Sequence, residues 1–300
     1  MSRLTALWAL GRPRMLPWLL LLLLVGYGYG HWERAVDLAW PQDFAVLLPV
    51  WVLLHFGTMW LNAARDRDEG PVMFGEVVAV PPYLASLGYV ALLGCLATSM
   101  AAHPVSRLCA IGCVLLAVLY SHPRIAWKAH PVGGPLVNVL GYGVLTPLAG
   151  LAVTRADIGF RVLFTLTCTG LAMLGLTFAA QAWQRDEDAA RGDRTLVVTH
   201  GPRVTLWTAR ICIGLAALGG TLGAAIGLYP RACLIGVPGL FLVDRHFASW
   251  LEKGEGGPED ARSLLLKMAL SGILLISCAM ATYLYQWSAR LPLAGQGTAL

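Results

Sequence analysis

The sequence predicts an all-α, polytopic membrane bundle: one domain over 1–300, about nine transmembrane helices, and the N-terminus on the cytoplasmic side. Three observations predict it. Hydrophobic residues make up 57% of the chain and charged residues 13%, against about 25% charged in a soluble domain. The apolar residues form long blocks rather than an alternating pattern, with a mean hydropathy of +0.64, as bilayer-crossing helices require. The Lys and Arg gather on alternate connections.

In order, the blocks cover about 13–30, 43–62, 82–101, 105–121, 135–154, 158–182, 204–228, 230–249 and 265–288. Each has the roughly 17–25 residues that a bilayer core demands. The first follows Arg3, Arg12 and Arg14 and has the outline of a signal peptide. Its exit through Gly26–Trp32 is a poor small-residue cleavage site, so it is expected to stay as the first helix. The second ends at Asn62 in a polar knot. The fifth is interrupted by Gly141, Gly143, Pro147 and Gly150, which a membrane helix tolerates where neighbours satisfy the freed backbone. The sixth ends in a second polar knot. Between the eighth and ninth, 252–262 reads as a Gly-rich, charged, solvated connector.

With the N-terminus inside, sixteen of the 22 Lys and Arg, including Lys128, Lys253 and Lys267, fall on the cytoplasmic face. Both polar knots land there too. Outer connections such as 102–105 and 154–157 are short, which makes the inner face the expected working face. The seven cysteines lie in or beside apolar blocks without a CxxC pair, and read as buried free thiols. The net charge of +5 follows from topology; no basic tail or motif points to nucleic acid.

The knots carry the chemistry. The first holds Asn62, Asp66, Asp68 and Glu69; Asn62 and Asp66 are four apart and share one helix face. The second holds Gln184, Asp186, Glu187 and Asp188, with the same spacing from Gln184 to Asp188. Acids at the mouths of membrane helices are costly without a partner. Hard oxygen ligands in this arrangement suit Mg²⁺ together with substrate phosphates. Asp66, Glu69, Asp186 and Asp188 are the candidate metal ligands. Arg124, Lys128, Arg191 and Arg194, with the amides of Asn62 and Gln184, are the candidate groups for a diphosphate. A salt-bridged cytoplasmic loop explains one such knot equally well; two knots on one face, both backed by basic loops, favour a site.

Three segments carry a family resemblance. Gly192–Gly201, read as Gly192, Asp193, Arg194, Thr195, Leu196, Val197, Val198, Thr199, His200 and Gly201, resembles the second signature of the UbiA superfamily of intramembrane prenyltransferases. Asn62 and Asp66 at the end of the second helix resemble the first. Tyr120, Ser121, His122, Pro123, Arg124 and Lys128 resemble the family's basic loop. The resemblance covers most of the chain from the second to the seventh helix. It implies a helical bundle with a lipid-facing cavity, Mg²⁺ bridging the two motifs and a polyprenyl diphosphate, and transfer of the prenyl group to an aromatic or other lipid-soluble acceptor. It implies catalytic roles for Asp66, Asp188 and Lys128. Apolar and aromatic walls would shield the allylic cation, with Phe74, Tyr83, Trp127, Tyr142 and Trp183 as candidates. The chain also departs from the family pattern. Acids usual in the first motif are replaced by Ala63 and Gly70, and the leading acid of the second is Gln184.

His122, His130 and His200 lie on the same inner side and read either as phosphate donors or as interfacial histidines. Asp244, Arg245 and His246 form an intramembrane polar cluster that is either self-satisfied or in reach of an acceptor. Two other functions fit the same architecture: a cyclase or diphosphate-processing enzyme without acceptor, and a non-catalytic scaffold or transporter with altered motifs. An acceptor-dependent product separates the first from transfer. A transporter calls for internal repeats and midplane ions, which the sequence lacks.

Overall fold

The computed structural model describes residues 2–34, 42–66, 78–254 and 256–290, and all regular structure among them is helical. The chain opens with α1 (Arg3–Leu10), capped by Ser2, whose Oγ accepts the Thr5 N–H at 3.2 Å. Arg12 at φ +46 and the 3-10 turn Pro13–Met15 then swing the chain into α2 (Leu16–Arg34). The first expected span is therefore α2 with a separate short helix in front of it. Pro13 supplies the break, since a proline starts a helical turn but cannot continue one.

Next come α3 (Gln42–Asp66), α4 (Leu84–Ser99), α5 (Pro104–Ser121), α6 (Gly133–Asn138), a π-helical segment (Val139–Leu145) and α7 (Thr146–Ala152). After these follow α8 (Phe160–Gln181), α9 (Arg185–Ala190), α10 (Leu196–Ala225), a 3-10 segment (Arg231–Gly236), α11 (Val237–Lys253) and α12 (Pro258–Arg290). Among the described residues, seven helical stretches are long and apolar enough to cross a membrane, and α4 is a shorter apolar helix. The ninth expected span lies within the 33 residues of α12. The third is only 16 residues long, because Pro81 and Pro82 precede it and helix starts at Leu84. The seventh starts earlier than expected, at Leu196. A kink at Gly201 (φ +81) and Pro202 separates its first turn from the rest of the helix.

The glycine- and proline-rich fifth span keeps its path because neighbours satisfy its backbone. Pro147 has no N–H for the Gly143 carbonyl four residues before it. Thr169 Oγ1 of α8 donates to that carbonyl instead, at 2.6 Å. Thr146 Oγ1 donates to the Gly141 carbonyl at 2.8 Å, and Ser106 Oγ of α5 to the Ala149 carbonyl at 2.8 Å. The Trp51 indole N–H reaches Thr146 Oγ1 at 3.2 Å.

Close crossings set the packing. At Gly26 and Gly150, α2 and α7 meet backbone to backbone, so that a Cβ on either would collide with the Pro147 or the Leu23 carbonyl. Gly57 and Gly88 play the same part between α3 and α4. One buried cluster joins α2, α3, α4, α5 and α7 around Leu23, Phe44, Leu47 and Trp51. A second joins α8, α10, α11 and α12 around Phe247, Trp250, Leu206 and Leu264.

Candidate functional site

A cavity of about 590 Å³ is lined from both halves of the bundle. One end is polar, with Asn62, Asp66, Lys128, Gln181, Gln184, Asp188, Arg191, Asp193 and Thr195 on its wall. The rest is largely apolar, with Trp18, Leu22 and Val25 of α2, Leu54 and Met59 of α3, and Leu265 and Met268 of α12 among its lining.

The first wall comes from α3, whose last turn presents Asn62 and Asp66. Asp66 forms an ion pair with Lys128, and the two side chains are only 12% and 8% exposed. Lys128 sits in the one-turn 3-10 helix Trp127–Ala129, entered through Ala126 at φ +44. Gly133 at the start of α6 lies hard against that turn: a Cβ there would stand 2.9 Å from the Trp127 carbonyl oxygen. Burial, joined by the Arg191 and Arg65 guanidiniums, pushes the Lys128 amine down to about 7, against the pull of Asp193 and Asp188.

The second wall comes from the end of α8, from α9 and from the turn into α10. Gln184 precedes α9, and its carbonyl accepts the Asp188 N–H at 2.9 Å. The chain then reverses at Gly192, whose φ of +76 favours glycine. This returns Asp193 and Thr195 to Asp188: the Asp193 N–H donates to the Asp188 carbonyl at 2.9 Å. Arg191 Nη2 donates to Asp188 Oδ1 at 2.5 Å and its Nε to Asp193 Oδ2 at 3.2 Å. Thr195 Oγ1 donates to Asp188 Oδ2 at 2.7 Å. Burial raises the Asp188 pKa, and these two donors hold it back. The Arg194 N–H donates to the Ala129 carbonyl at 2.7 Å, which ties this turn to the turn that carries Lys128.

Six of the expected site residues thus meet on one cavity: Asn62, Asp66, Lys128, Gln184, Asp188 and Arg191. Asp186 does not line it. It is exposed on α9, two residues and about 200° around the helix from Asp188. Arg124 is exposed in the loop after α5 and away from the cavity wall, and Arg194 contributes its backbone while its side chain faces outward. Asp68, Glu69, Gly70 and Phe74 lie outside the described residues. Of the aromatic candidates, Tyr142 and Trp183 line the cavity, whereas Tyr83 and Trp127 do not.

The histidines, and Asp244 and His246 of the α11 cluster, have structural partners. His122 Nδ1 accepts the Arg124 N–H at 3.3 Å, and His130 Nδ1 accepts those of Val132 and Gly133 at 3.2 Å. His200 is exposed beside Thr199 Oγ1. Asp244 takes a two-pronged pair from Arg210 at 2.7 and 2.8 Å. His246 donates to the Asp260 carbonyl at 2.8 Å and accepts from Lys267 at 2.9 Å. None of these lines the cavity.

The cavity wall also holds residues that sequence reasoning missed as site groups: Arg12, His55, Tyr120, Asn138, Gln181, Asp193 and Thr195. Gln181 is three residues before Gln184, and Asp193 and Thr195 lie inside the signature, so spacing could have found them. Arg12 and His55 could not be found that way. They reach the cavity because His55 Nε2 donates to the Gly11 carbonyl at 3.0 Å and fixes the loop that carries Arg12.

Among the described residues no three His, Cys, Asp or Glu cluster as a ready metal site. The donor chemistry nevertheless fits a hard divalent cation shared with a phosphate-bearing substrate. Asn62 Oδ1 and Gln181 Oε1 are buried at the cavity wall without a hydrogen-bond donor, beside Asp66 and Asp188. Mg²⁺ takes such oxygens and leaves its remaining positions to phosphate and water.

Comparison with known proteins bears on the fold and the family. No curated protein matches the sequence. Among solved structures, the fold resembles that of a digeranylgeranylglyceryl phosphate synthase, with 17% identity, a TM-score of 0.66, and coverage of 94% of this chain and 100% of that one. It resembles equally a UbiA homologue from Archaeoglobus fulgidus bound to DMAPP and Mg²⁺, with 19% identity, a TM-score of 0.66, and 92% and 98% of the two chains covered. The same homologue bound to GPP and Mg²⁺ matches at 17% identity with a TM-score of 0.66 over 93% and 99% of the chains. The family model of the UbiA prenyltransferases matches residues 15–259, a stretch that contains every cavity-lining residue of both polar walls. The chain is a multi-pass membrane protein and belongs to the UbiA prenyltransferase family.

Proposed function

We propose that the protein transfers a prenyl group from a polyprenyl diphosphate to an aromatic or other lipid-soluble acceptor, within the membrane and with Mg²⁺. The observation that carries this reading is the shape and polarity of one cavity. Its polar end joins Asn62 and Asp66 to Gln184 and Asp188 and adds Lys128 and Arg191; the rest is apolar. A diphosphate with a long hydrocarbon tail has this division. The Lys and Arg distribution supports a cytoplasmic position for the polar end.

In this reading Lys128 and Arg191 bind diphosphate oxygens. Both are engaged by carboxylates in the structure, so the substrate exchanges with existing pairs: Lys128 turns from Asp66 to phosphate, and Arg191 from Asp188. That exchange frees the two carboxylates, which with the oxygens of Asn62 and Gln184 would hold the metal. When bound, Mg²⁺ neutralises charge on the departing diphosphate. Asp193 and Thr195 keep Arg191 and Asp188 oriented. Tyr120, Tyr142 and Trp183 line the cavity and would exclude water from the allylic cation. As the C–O bond to the diphosphate breaks, the acceptor's nucleophilic atom bonds to that carbon, and its proton passes to the released diphosphate or to water.

The test is binding of a non-hydrolysable prenyl thiolodiphosphate to the protein in lipid nanodiscs, with Mg²⁺ and with EDTA, followed by turnover of a radiolabelled prenyl diphosphate with and without aromatic acceptors. Metal-dependent binding and an acceptor-dependent product support transfer. Turnover that ignores the acceptor favours cyclisation or diphosphate hydrolysis. A folded protein that binds no analogue overturns the enzymatic reading.

A further inference from the structure

We infer that the end of α8 is a further part of the diphosphate site, with Gln181 as an oxygen ligand of the divalent cation and Trp183 as an N–H donor to the diphosphate. The inference rests on the proposed function and adds two residues that neither motif of the sequence names.

The argument starts from two orphaned atoms. Gln181 Oε1 and Trp183 Nε1 are both buried and both lack a hydrogen-bond partner. Both residues line the cavity, as do Gln184 and Asp188. A buried polar atom without a partner is costly, and such atoms are rare in native proteins. Helix geometry explains how they share one wall. The α-helix ends at Gln181, and Ala182 and Trp183 form a turn. Gln181 closes the helix and its carbonyl accepts the Gln184 N–H at 2.9 Å, so these two stay one turn apart, and Trp183 in the turn between them lines the same cavity.

The two orphans have opposite polarity. A carbonyl oxygen calls for a cation or a donor; an indole N–H calls for an acceptor and cannot itself accept. A bound cation–diphosphate pair supplies both. Across the cavity, Asn62 Oδ1 is orphaned in the same way beside Asp66. Each wall thus pairs an orphaned amide oxygen with a carboxylate already held by a cationic side chain. The amide oxygens need no prior exchange before they meet a metal. In the second motif, where Gln184 stands in place of an acid, Gln181 supplies the additional oxygen.

The test uses Q181L, W183F and, for comparison, Q184L in the full chain in lipid nanodiscs. Three quantities are read: the melting temperature without ligand, the Mg²⁺ concentration for half-maximal binding of a prenyl thiolodiphosphate, and the affinity for that analogue at saturating Mg²⁺. Q181L removes an unsatisfied atom, so its unliganded melting temperature stays level or rises. Its Mg²⁺ half-saturation rises by about tenfold or more. W183F keeps the ring and loses the N–H, so analogue affinity falls several-fold while Mg²⁺ half-saturation stays put. A Q181L variant that melts earlier and binds Mg²⁺ normally overturns the assignment and marks Gln181 as structural. The same holds if only Q184L changes the metal dependence. If wild-type protein binds the analogue with Mg²⁺ and both Q181L and W183F match it, this inference alone fails. If wild-type protein shows no metal-dependent binding, the proposed function fails and takes the inference with it.

Discussion

Replacing Asp188 with Asn, side by side with Asp186→Asn, probes the site most directly. Asp188 is 4% exposed and accepts from Arg191 at 2.5 Å and from Thr195 at 2.7 Å. Asn keeps the shape but only one acceptor oxygen, and it carries no charge. A hydrogen bond to a charged group contributes about 1.5–3 kcal/mol and a neutral one about 0.5–1.5 kcal/mol. Losing one charged bond and weakening the other, with Asp193 still holding Arg191 at 3.2 Å, gives a loss of about 2 kcal/mol. Asp186 is exposed and off the cavity wall, so its Asn variant should stay within about 0.5 kcal/mol of wild type. The assays are thermal unfolding in nanodiscs and Mg²⁺-dependent binding and turnover of a prenyl diphosphate. D188N should melt several degrees earlier yet still fold, and should lose metal-dependent turnover; D186N should match wild type in both. The reasoning is falsified if D186N loses as much turnover as D188N, or if D188N keeps wild-type metal dependence.

Three further variants separate site from scaffold. Lys128→Ala leaves the buried Asp66 carboxylate without its partner, so it should lower stability by as much as about 3 kcal/mol. It should also weaken analogue binding far more than acceptor binding; a K128A protein with unchanged analogue affinity would rule out its role. Thr169→Val strips the donor from the Gly143 carbonyl, which should cost about 1–3 kcal/mol in a melting experiment; an unshifted melting temperature would mean that the Pro147 break is satisfied another way. Asp244→Asn touches a largely exposed pair with Arg210 and should change stability by about 1 kcal/mol or less. Its turnover should equal that of wild type, and a change in acceptor preference would show that the α11 cluster reaches the acceptor.

Much of the site could be read from spacing. Asn62 and Asp66 share the last turn of α3, and a four-residue separation puts them on one face whatever the helix packs against. Asp188, Gly192 and Thr195 could be placed together because the turn at Gly192 is local. Spacing failed where direction depends on where a helix stops. Asp186 was expected beside Asp188, but α9 is a true helix and turns the two apart. Gln181 shares a turn with Gln184, three residues on, but nothing in its own residue type marks it, and only the cavity shows that its amide oxygen is left without a donor. Arg124 and Lys128 show the same limit: both belong to one basic loop, and the left-handed Ala126 between them sends one outward and the other into the cavity.

The sequence alone determined the membrane class, the helical composition, the family and the two polar walls, because these rest on composition and on contacts within a few residues along the chain. Only the tertiary structure decided what meets across the cavity. It paired Lys128 with Asp66, placed Arg12 through the buried His55, and left oxygens of Asn62 and Gln181 without donors. Those outcomes depend on how elements distant in sequence pack together, as in the close approach of Gly26 to Pro147 and of Gly57 to Leu92. Long-range packing carries no local period, so the pattern of residues could name candidate groups but not the company they keep.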